Sequence, residues 1–277
     1  MGVKTKIKNM IRFFKAKEMV PIYQPINGQH LLKGKTALIT GGSGGIGFAV
    51  AKAFLQQDCE VIIAGTNEKK LSQYCEKLSG GRARYLIIDV TDVDSMPEKV
   101  RLVADMSSTG KIDILVNSAG LVSHSDFYHI SEKEYDSIMN VNAKGTYFMS
   151  QTVAKMMIEK KIKGHILNVT SSSALRPAWT PYQMSKWAVR GLTLGLADAL
   201  LPYGIVVNAI APGPVATPML GKFEGDSIYN ETSPLGRYAM PEEIAQLAVF
   251  MVSDMGNLIV GDTFYMTGGS GTITLHN

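Results

Sequence analysis

The sequence is poor in the residues that build disulfide frameworks and metal sites. It has two cysteines, Cys59 and Cys75, whose spacing matches no metal-ligand pattern, and its five histidines are scattered. A disulfide-rich secreted domain and a metal site are therefore not predicted, and a cytoplasmic location is expected. No apolar run approaches the ~20 residues of a membrane-spanning helix, and basic residues interrupt any N-terminal stretch that could act as a secretory signal.

Positive charge is concentrated at one end of the chain. The formal net charge is +4, but residues 1–35 hold eight Lys or Arg and a single acid, Glu18, so the remaining residues sum to −3. The excess belongs to an N-terminal segment rather than to a face that could bind nucleic acid. No nucleic-acid partner is therefore predicted.

The N-terminal residues 1–31 are predicted to be an extension to a catalytic domain at residues 32–277. Within the extension, apolar residues recur at helical spacing among lysines, at Ile7, Met10, Ile11 and Phe14. Such a basic amphipathic pattern can make weak contact with an anionic membrane surface or pack against a partner. It also fits a terminus that is only solvated or that docks on its own oligomer.

From Lys35 onward, short apolar runs alternate with segments of helical pattern. Strands are predicted at residues 36–40, 61–64, 85–88, 112–116, 165–170, 205–210 and 263–266. Helices are predicted at residues 48–57, 95–106, 131–160, 182–201 and 241–253. This alternation predicts an α/β fold, a doubly wound parallel sheet of the Rossmann type in a single domain. Ligands of such sheets lie beyond the carboxyl ends of the strands.

A glycine-rich turn directly follows the first predicted strand. Its sequence, G-G-S-G-G-I-G at residues 41–47, stands between a strand and a helix, and in that context it predicts dinucleotide binding. Glycines let the backbone approach a pyrophosphate, and the free N–H groups of the following helix attract its charge. The residues predicted to contact the cofactor here are Gly41, Ser43, Gly45, Ile46 and Gly47.

The end of the second strand lacks the acid that commonly binds the ribose hydroxyls of NAD. Gly65, Thr66 and Asn67 stand there instead, so no carboxylate would repel the 2′-phosphate of NADP. Ser43, Thr66, Asn67 and Lys69 could receive that phosphate, and NADP(H) is favoured over NAD(H). Because no arginine is present to clamp the phosphate, NAD(H) stays open as the alternative.

Tyr182 and Lys186 lie four residues apart in a predicted helix that Pro181 opens. Residues at this spacing share one helical face, so the phenol and the ammonium would point into the same space. A phenol has an unperturbed pKa of about 10, and a nearby ammonium lowers it. The pair therefore suits general acid–base catalysis on an alcohol or a carbonyl.

Further motifs stand in a fixed order along the chain. They are T-G-G-S-G-G-I-G at 40–47, Asp89, N-S-A-G at 117–120, N-V-N at 140–142, N-V-T-S at 168–171, Y-Q-M-S-K at 182–186 and P-G-P-V-A-T at 212–217. In this order and spacing they resemble the short-chain dehydrogenase/reductase family, including its 3-oxoacyl-carrier-protein-reductase-like and hydroxysteroid-dehydrogenase-like members. The resemblance covers roughly residues 32–269.

The resemblance implies a role for each matched residue. Tyr182 would be the general acid or base, Lys186 would lower its pKa and hold the nicotinamide ribose, Ser171 would bond the substrate oxygen and Asn142 would anchor a relay water. Other residues would contact the cofactor: Asp89 and Val90 the adenine, Asn117, Ala119 and Gly120 the ribose region, and Val215 and Thr217 the carboxamide, with Pro212 in the same segment. The implied substrate is a small carbonyl or secondary alcohol, and the implied assembly is a homodimer or homotetramer.

The resemblance is incomplete at two places. The family's serine stands further from its tyrosine than Ser171 does from Tyr182, so Ser172 is the alternative. The last predicted strand ends at Met266, followed by Thr-Gly-Gly, where an Asp is more usual before the glycines. The turn also fits the G-x-x-G-x-x-G pattern of the extended relatives, the epimerases and dehydratases, but the stretch after Tyr182 is too short for their substrate domain.

Several features leave alternatives open. A protein that binds the nucleotide but has no turnover would keep the fold, although Asn142, Ser171, Tyr182 and Lys186 argue for an enzyme. Gly191 and Gly195 within a helix fit close packing by a partner subunit or ordinary packing within the chain. Arg176 and Trp179 could line the substrate entrance, or they could serve packing or face solvent. The substrate itself is not specified by the sequence.

Overall fold

Seven parallel strands form one sheet in the residues that the computed structural model describes, which are 30–78, 80–223 and 225–273. The spatial order is β3-β2-β1-β4-β5-β6-β7. In chain order, the strands are β1 Thr36–Thr40, β2 Glu60–Gly65, β3 Ala83–Ile87, β4 Ile114–Asn117, β5 His165–Val169, β6 Val206–Pro212 and β7 Thr263–Met266. The predicted amphipathic pattern at the N terminus lies outside the described residues, so its membrane or partner contact stays a prediction.

Helices cover both faces of the sheet. They are α1 Gly45–Gln56, α2 Glu68–Lys77, α3 Met96–Met106, α4 Glu132–Met139, α5 Thr146–Glu159, α6 Pro181–Leu200 and α7 Pro241–Val252. Within β1, Ala37 and Ile39 pack into the core cluster that α1 and α7 close, whereas Leu38 packs into the opposite cluster with α3, α5 and α6. Burying a large apolar side chain in this way contributes roughly 1.5–3 kcal/mol. The doubly wound sheet is confirmed.

Two helical segments differ from the sequence prediction. The helix α2, Glu68–Lys77, was not predicted; Asn67 caps it by accepting a hydrogen bond from Lys70 N–H at 2.9 Å, and Leu71 is its buried contact. The predicted continuous helix at 131–160 is divided by a π-helical segment, Asn140–Gly145, between α4 and α5. Single π turns inside helices often accompany functional sites, and this one contains a predicted catalytic residue.

The order of the strands in the sheet indicates where a ligand would bind. β1 is hydrogen-bonded to β2 on one side and to β4 on the other, so the chain reverses its winding direction at this strand. In open α/β sheets, ligands bind in the crevice at this reversal point. Among the described helices, none has both the length and the apolar composition needed to cross a membrane.

The two glycines of α6 lie on an open face. A Cβ added to Gly191 or Gly195 would have no neighbour within 4 Å among the described residues. Among the described residues, no segment packs against these glycines, so close packing by a partner subunit stays a prediction. Met184, Trp187 and Leu194 share this exposed face.

Candidate active site

Close backbone approaches shape the glycine turn between β1 and α1. Gly41 has φ +64°, and a Cβ added there would lie 2.8 Å from the backbone of Ala119. A Cβ on Gly47 would lie 2.4 Å from the carbonyl oxygen of Gly41, which also accepts a hydrogen bond from Gly44 N–H at 2.8 Å. Glycine is required at these positions because no side chain has room.

The first turn of α1 presents free backbone donors. α1 begins at Gly45, and its N-cap residue Gly44 has no side chain to bond the first N–H groups. Thr217 stands against this turn, since a Cβ on Gly45 would lie 2.4 Å from Thr217 Cγ2. Uncapped N–H groups and the partial positive charge of a helix N-terminus suit a phosphate group. The residues present here therefore fit the pyrophosphate of a dinucleotide.

A narrow cleft of about 100 Å³ joins the glycine turn to the tyrosine–lysine pair. Its lining includes Gly45, Ile46, Gly47, Gly120, Thr217, Tyr182 and Lys186. It adjoins a larger cavity of about 810 Å³, whose lining includes Ile46, Ser171, Tyr182, Pro212, Val215 and Thr217. Tyr182 lines both spaces, so it stands where a cofactor and a substrate would meet.

Tyr182 and Lys186 lie one turn apart at the start of α6. Thr180 and Gln183 form a capping box that fixes this end of the helix. The Lys186 ammonium lies 5.7 Å from the centre of the Tyr182 ring and donates a hydrogen bond to Val169 O at 3.0 Å. Burial lowers the pKa of Lys186 to about 8.

The predicted lowering of the Tyr182 pKa by Lys186 is not seen in this arrangement, where burial dominates. Burial raises the pKa of Tyr182 above its ordinary value, and a side-chain hydrogen bond with Ser171 only partly opposes that rise. The ammonium points toward the carbonyl of Val169 rather than toward the phenol. Removing the charged phenolate from water therefore dominates, and Tyr182 is held in its protonated form.

Of the two candidate serines, Ser171 is the one that reaches the tyrosine. It lies two residues after the end of β5, its hydroxyl is near enough to the Tyr182 side chain to lower the pKa of the phenol, and it accepts a hydrogen bond from Ser173 N–H at 3.1 Å. Ser172 begins a short 3₁₀ turn, Ser172–Leu175. The shorter spacing from serine to tyrosine therefore still brings Ser171 into place.

Asn142 lies in the π-helical segment and is almost fully buried. Its side chain accepts a hydrogen bond from Leu121 N–H at 2.8 Å, and it donates to Leu121 O at 2.9 Å and to Ser185 Oγ at 3.0 Å. A Cβ on Gly120 would lie 3.4 Å from Asn142 Oδ1 and 3.7 Å from Lys186 Nζ. The predicted residues Asn142, Lys186 and Gly120 are thus brought together.

Two residues that were predicted to contact the cofactor instead make hydrogen bonds within the protein. Asn117 is buried and donates to Ser150 Oγ and to Asn168 Oδ1, both at 2.9 Å, so its side chain ties β4 to β5 and α5. Ala119 N–H donates to Thr40 Oγ1 at 3.3 Å. Both residues support the strand ends behind the cleft rather than lining it.

The ends of β2 and β3 hold the remaining predicted residues. Ser43 Oγ lies 4.0 Å from where a Cβ of Gly65 would stand, beside the exposed Thr66. Asn67 uses its side chain to cap α2, and the Asp89 carboxylate accepts from the N–H and hydroxyl of Thr91 at 2.8 and 2.7 Å. Val90 is buried against Gly145. Contacts of these residues with a cofactor stay predictions.

Sequence reasoning missed residues that the fold brings to these spaces. Lys70, rather than Lys69, lines a cavity together with Gly44 and Gly45. The capping residue Asn67 and the helical periodicity after it could have indicated which lysine faces the glycine turn. Ser123 and Ser270 line the large cavity. No motif marks them, because they reach it from loops that are distant in sequence.

The chain is similar to known reductases and dehydrogenases over most of its length. A sequence profile described as enoyl-(acyl carrier protein) reductase matches residues 41–271. The 3-oxoacyl-[acyl-carrier-protein] reductase of Thermotoga maritima is 35% identical over 244 residues, which cover 86% of this chain and 98% of the relative. The gluconate 5-dehydrogenase of Gluconobacter oxydans is 34% identical over 247 residues, covering 86% and 95%.

Solved structures share the fold. One described as a short chain dehydrogenase/reductase family protein superposes with a TM-score of 0.77 at 32% sequence identity, over 87% of this chain and 99% of that one. The similarity in sequence and the similarity in fold to these proteins therefore cover nearly the same part of the chain.

Proposed function

Because the chain belongs to the short-chain dehydrogenase/reductase family and is an oxidoreductase acting on CH–OH or C=O groups, we propose that Tyr182 carries its proton transfer and that NADP(H) is its preferred cofactor. The observation that supports this most directly is the place of Tyr182, with Ser171 and Lys186 beside it, at the junction of the cofactor cleft and the large cavity. The test is consumption of NADPH with a panel of ketones and aldehydes.

Each side chain has a distinct task in carbonyl reduction. The bound nicotinamide supplies the hydride. Tyr182, kept protonated by burial, gives its proton to the carbonyl oxygen, and Ser171 donates a hydrogen bond to the same oxygen. Lys186 holds a positive charge below its pKa of about 8 at the cleft wall, where it can bind the ribose. Asn142 fixes Leu121 and thereby the wall beside Lys186.

The reverse direction needs the phenolate form of Tyr182 as a base. Because burial raises the pKa of Tyr182, the phenolate becomes available only as the pH rises. The arrangement therefore favours reduction near neutral pH and oxidation at alkaline pH.

The preference for NADP(H) rests on the charge at the end of β2. Thr66 and Asn67 follow β2 where an acid would repel the 2′-phosphate, and Lys70 lines the cavity beside Gly44 and Gly45. An ammonium attracts a phosphate dianion. The named relatives do not decide this preference for the present chain.

We expect Lys70→Ala to lower kcat/KM for NADPH by about tenfold, since a charge-assisted bond contributes about 1.5–3 kcal/mol. The value for NADH should change little, because NADH has no 2′-phosphate. Lys69→Ala is the matched control and should change neither value. Steady-state kinetics with both cofactors measures this. A tenfold preference of the wild-type enzyme for NADH would overturn the assignment.

A homodimer or homotetramer is proposed to assemble through the exposed face of α6. Gly191 and Gly195 leave space for a second backbone, and Leu194 between them is 64% exposed. Glycine in a helix interior costs about 1 kcal/mol relative to alanine, and close packing by a partner would offset that cost. The commonest soluble oligomers are twofold dimers.

Leu194→Glu should therefore lower the assembled mass measured by light scattering, because a charge would be buried in the interface. Gln73→Glu on the exposed face of α2 adds the same charge elsewhere and should leave the mass unchanged. Retention of the wild-type mass by Leu194→Glu would show that the interface lies on another face.

The alternative of a binding protein without turnover has lost support, since the curated relatives reported above are named as a reductase and a dehydrogenase. Their names point to two substrates, a 3-oxoacyl group on a carrier protein and gluconate. The side chains that line the large cavity indicate which class of substrate this chain binds.

A further inference from the structure

The lining of the large cavity beside Tyr182 includes an exposed arginine, Arg176, whose side chain has no partner among the described residues. Arg176 follows the 3₁₀ turn after β5 and lines the cavity of about 810 Å³ together with Ser171 and Tyr182. Within residues 30–78, 80–223 and 225–273, no carboxylate oxygen lies within 4.0 Å of its guanidinium, and its side chain makes no hydrogen bond. A guanidinium offers five donors and stays charged at every working pH.

Among the other arginines of the described residues, four are engaged, whereas Arg101, exposed on α3, has no side-chain partner there. Arg82, Arg84 and Arg237 each pair with a carboxylate, and Arg190 donates to a backbone oxygen. Compared with these, Arg176 keeps its donors free toward the cavity. An unpaired guanidinium in a cavity wall is a binding group for an anion.

A second polar group on the same wall also has no partner. Ser270 lines the cavity, and its buried hydroxyl makes no hydrogen bond within the described residues. The residue after Ser270 lies against Arg176, because a Cβ on Gly271 would stand 3.1 Å from Arg176 Nε. Buried polar groups normally have partners, so the unpaired Ser270 hydroxyl indicates a missing partner, and Arg176, which is exposed, adds charged donors to the same cavity lining.

The cavity lining also includes one acid, Asp126, which does not pair with Arg176. The carboxylate of Asp126 accepts hydrogen bonds from Tyr128 N–H at 3.0 Å and His129 N–H at 3.1 Å, and from the His129 ring at 2.6 Å. All three of these hydrogen bonds fall on Oδ1, within its own loop. Among the described residues, no ion pair joins Asp126 to Arg176, so the guanidinium is available to a ligand.

We propose that the substrate carries an anionic oxygen group, a carboxylate or a phosphate, which Arg176 and Ser270 bind while its carbonyl or hydroxyl carbon faces Tyr182. This inference rests on the proposed function and extends it to the class of substrate. A planar guanidinium binds a carboxylate or phosphate through two parallel hydrogen bonds. A cavity of about 810 Å³ has the size of ordinary small-molecule sites, so an acid with a short carbon chain can span it.

The test compares three ligands that share one six-carbon polyol skeleton: D-sorbitol, D-gluconate and sorbitol 6-phosphate. Calorimetry measures their affinity for the wild-type enzyme saturated with NADPH, in which the alcohols cannot be oxidised. We expect at least one anion to bind about tenfold or more tightly than sorbitol. The tighter anion identifies the charged group as a carboxylate or a phosphate.

Substitutions test whether Arg176 and Ser270 cause the tighter binding of the anion. Arg176→Gln should abolish the preference for the anion, and Ser270→Ala should weaken it by a smaller factor. Arg101→Gln removes an exposed arginine on α3, outside this cavity, and should retain the full preference. An unchanged preference in Arg176→Gln, or equal binding of all three ligands to wild type, would overturn the inference.

The outcome is independent of the proposed chemistry. Binding in the presence of the reduced cofactor needs no turnover, so absence of catalysis with the carbonyl panel would count against the proposed function alone. Loss of the anion preference with catalysis intact would count against the anionic substrate alone.

Discussion

Replacing Tyr182 with phenylalanine should lower kcat by a factor of about 10²–10⁴, the usual contribution of a general acid. The affinity for NADPH should stay nearly unchanged, because the glycine turn and Thr217 are untouched. Phenylalanine keeps the ring in the same space beside Lys186 and removes only the hydroxyl that meets Ser171. Rapid mixing with a reducible ketone measures kcat, and fluorescence titration measures cofactor binding.

A surface tyrosine provides the control for this substitution. Tyr203 is 54% exposed in the 3₁₀ turn that follows α6, and Tyr203→Phe should retain wild-type kinetics. If Tyr182→Phe keeps more than about a tenth of the wild-type kcat, another group donates the proton and the assignment fails.

The pH dependence of the reaction rates follows from the direction in which the pKa of Tyr182 is shifted. Because burial raises the pKa of the phenol above 10.0, the proton needed for reduction is present throughout the neutral range. The rate of reduction should therefore stay level between about pH 6 and 7, and the rate of oxidation should rise with pH. A loss of reduction centred below pH 7 would contradict a protonated Tyr182 as the acid.

Gly47→Ala should destabilise the fold and weaken the cofactor site together. The new Cβ would lie 2.4 Å from the carbonyl oxygen of Gly41 and 3.0 Å from its carbonyl carbon, and backbone atoms cannot move away as a flexible side chain can. Overpacking of this kind costs about 1–3 kcal/mol. Displacing the turn also moves the donors at the start of α1, so NADPH affinity should fall about tenfold or more.

Gly65→Ala is the matched control for stability. A Cβ at Gly65 would meet its nearest neighbour, Leu71 Cδ2, at 3.8 Å, which is ordinary van der Waals contact. Urea unfolding without cofactor should show a clear loss for Gly47→Ala and little change for Gly65→Ala. Equal stability of the two variants would mean that the turn relaxes around the added methyl group.

The fold and the shared face of Tyr182 and Lys186 could be predicted because their signals are local. The run Thr36–Thr40, the glycines after it and the helix that follows occupy one continuous stretch, and the structure has strand, turn and helix there. Tyr182 and Lys186 stand four residues apart in α6, so their shared face follows from helical geometry alone. Such patterns do not depend on distant residues.

Other features were decided only by contacts between distant segments. The side chain of Asn117 matches the motif but bonds Asn168 and Ser150, which only the sheet brings near. The π turn around Asn142 arises where α4 and α5 meet α6, and no local pattern marks it. The lining that Arg176 and Ser270 share likewise joins two loops almost a hundred residues apart.

By itself, the sequence determined the strand and helix alternation, the position of the glycine turn and the spacing of Tyr182 and Lys186. These follow from backbone geometry and from side-chain periodicity over a few residues. Only the tertiary structure decided that the pKa of Tyr182 rises and that Lys186 bonds Val169. The physical reason is that a pKa responds to burial, and burial is set by every segment that packs around the group.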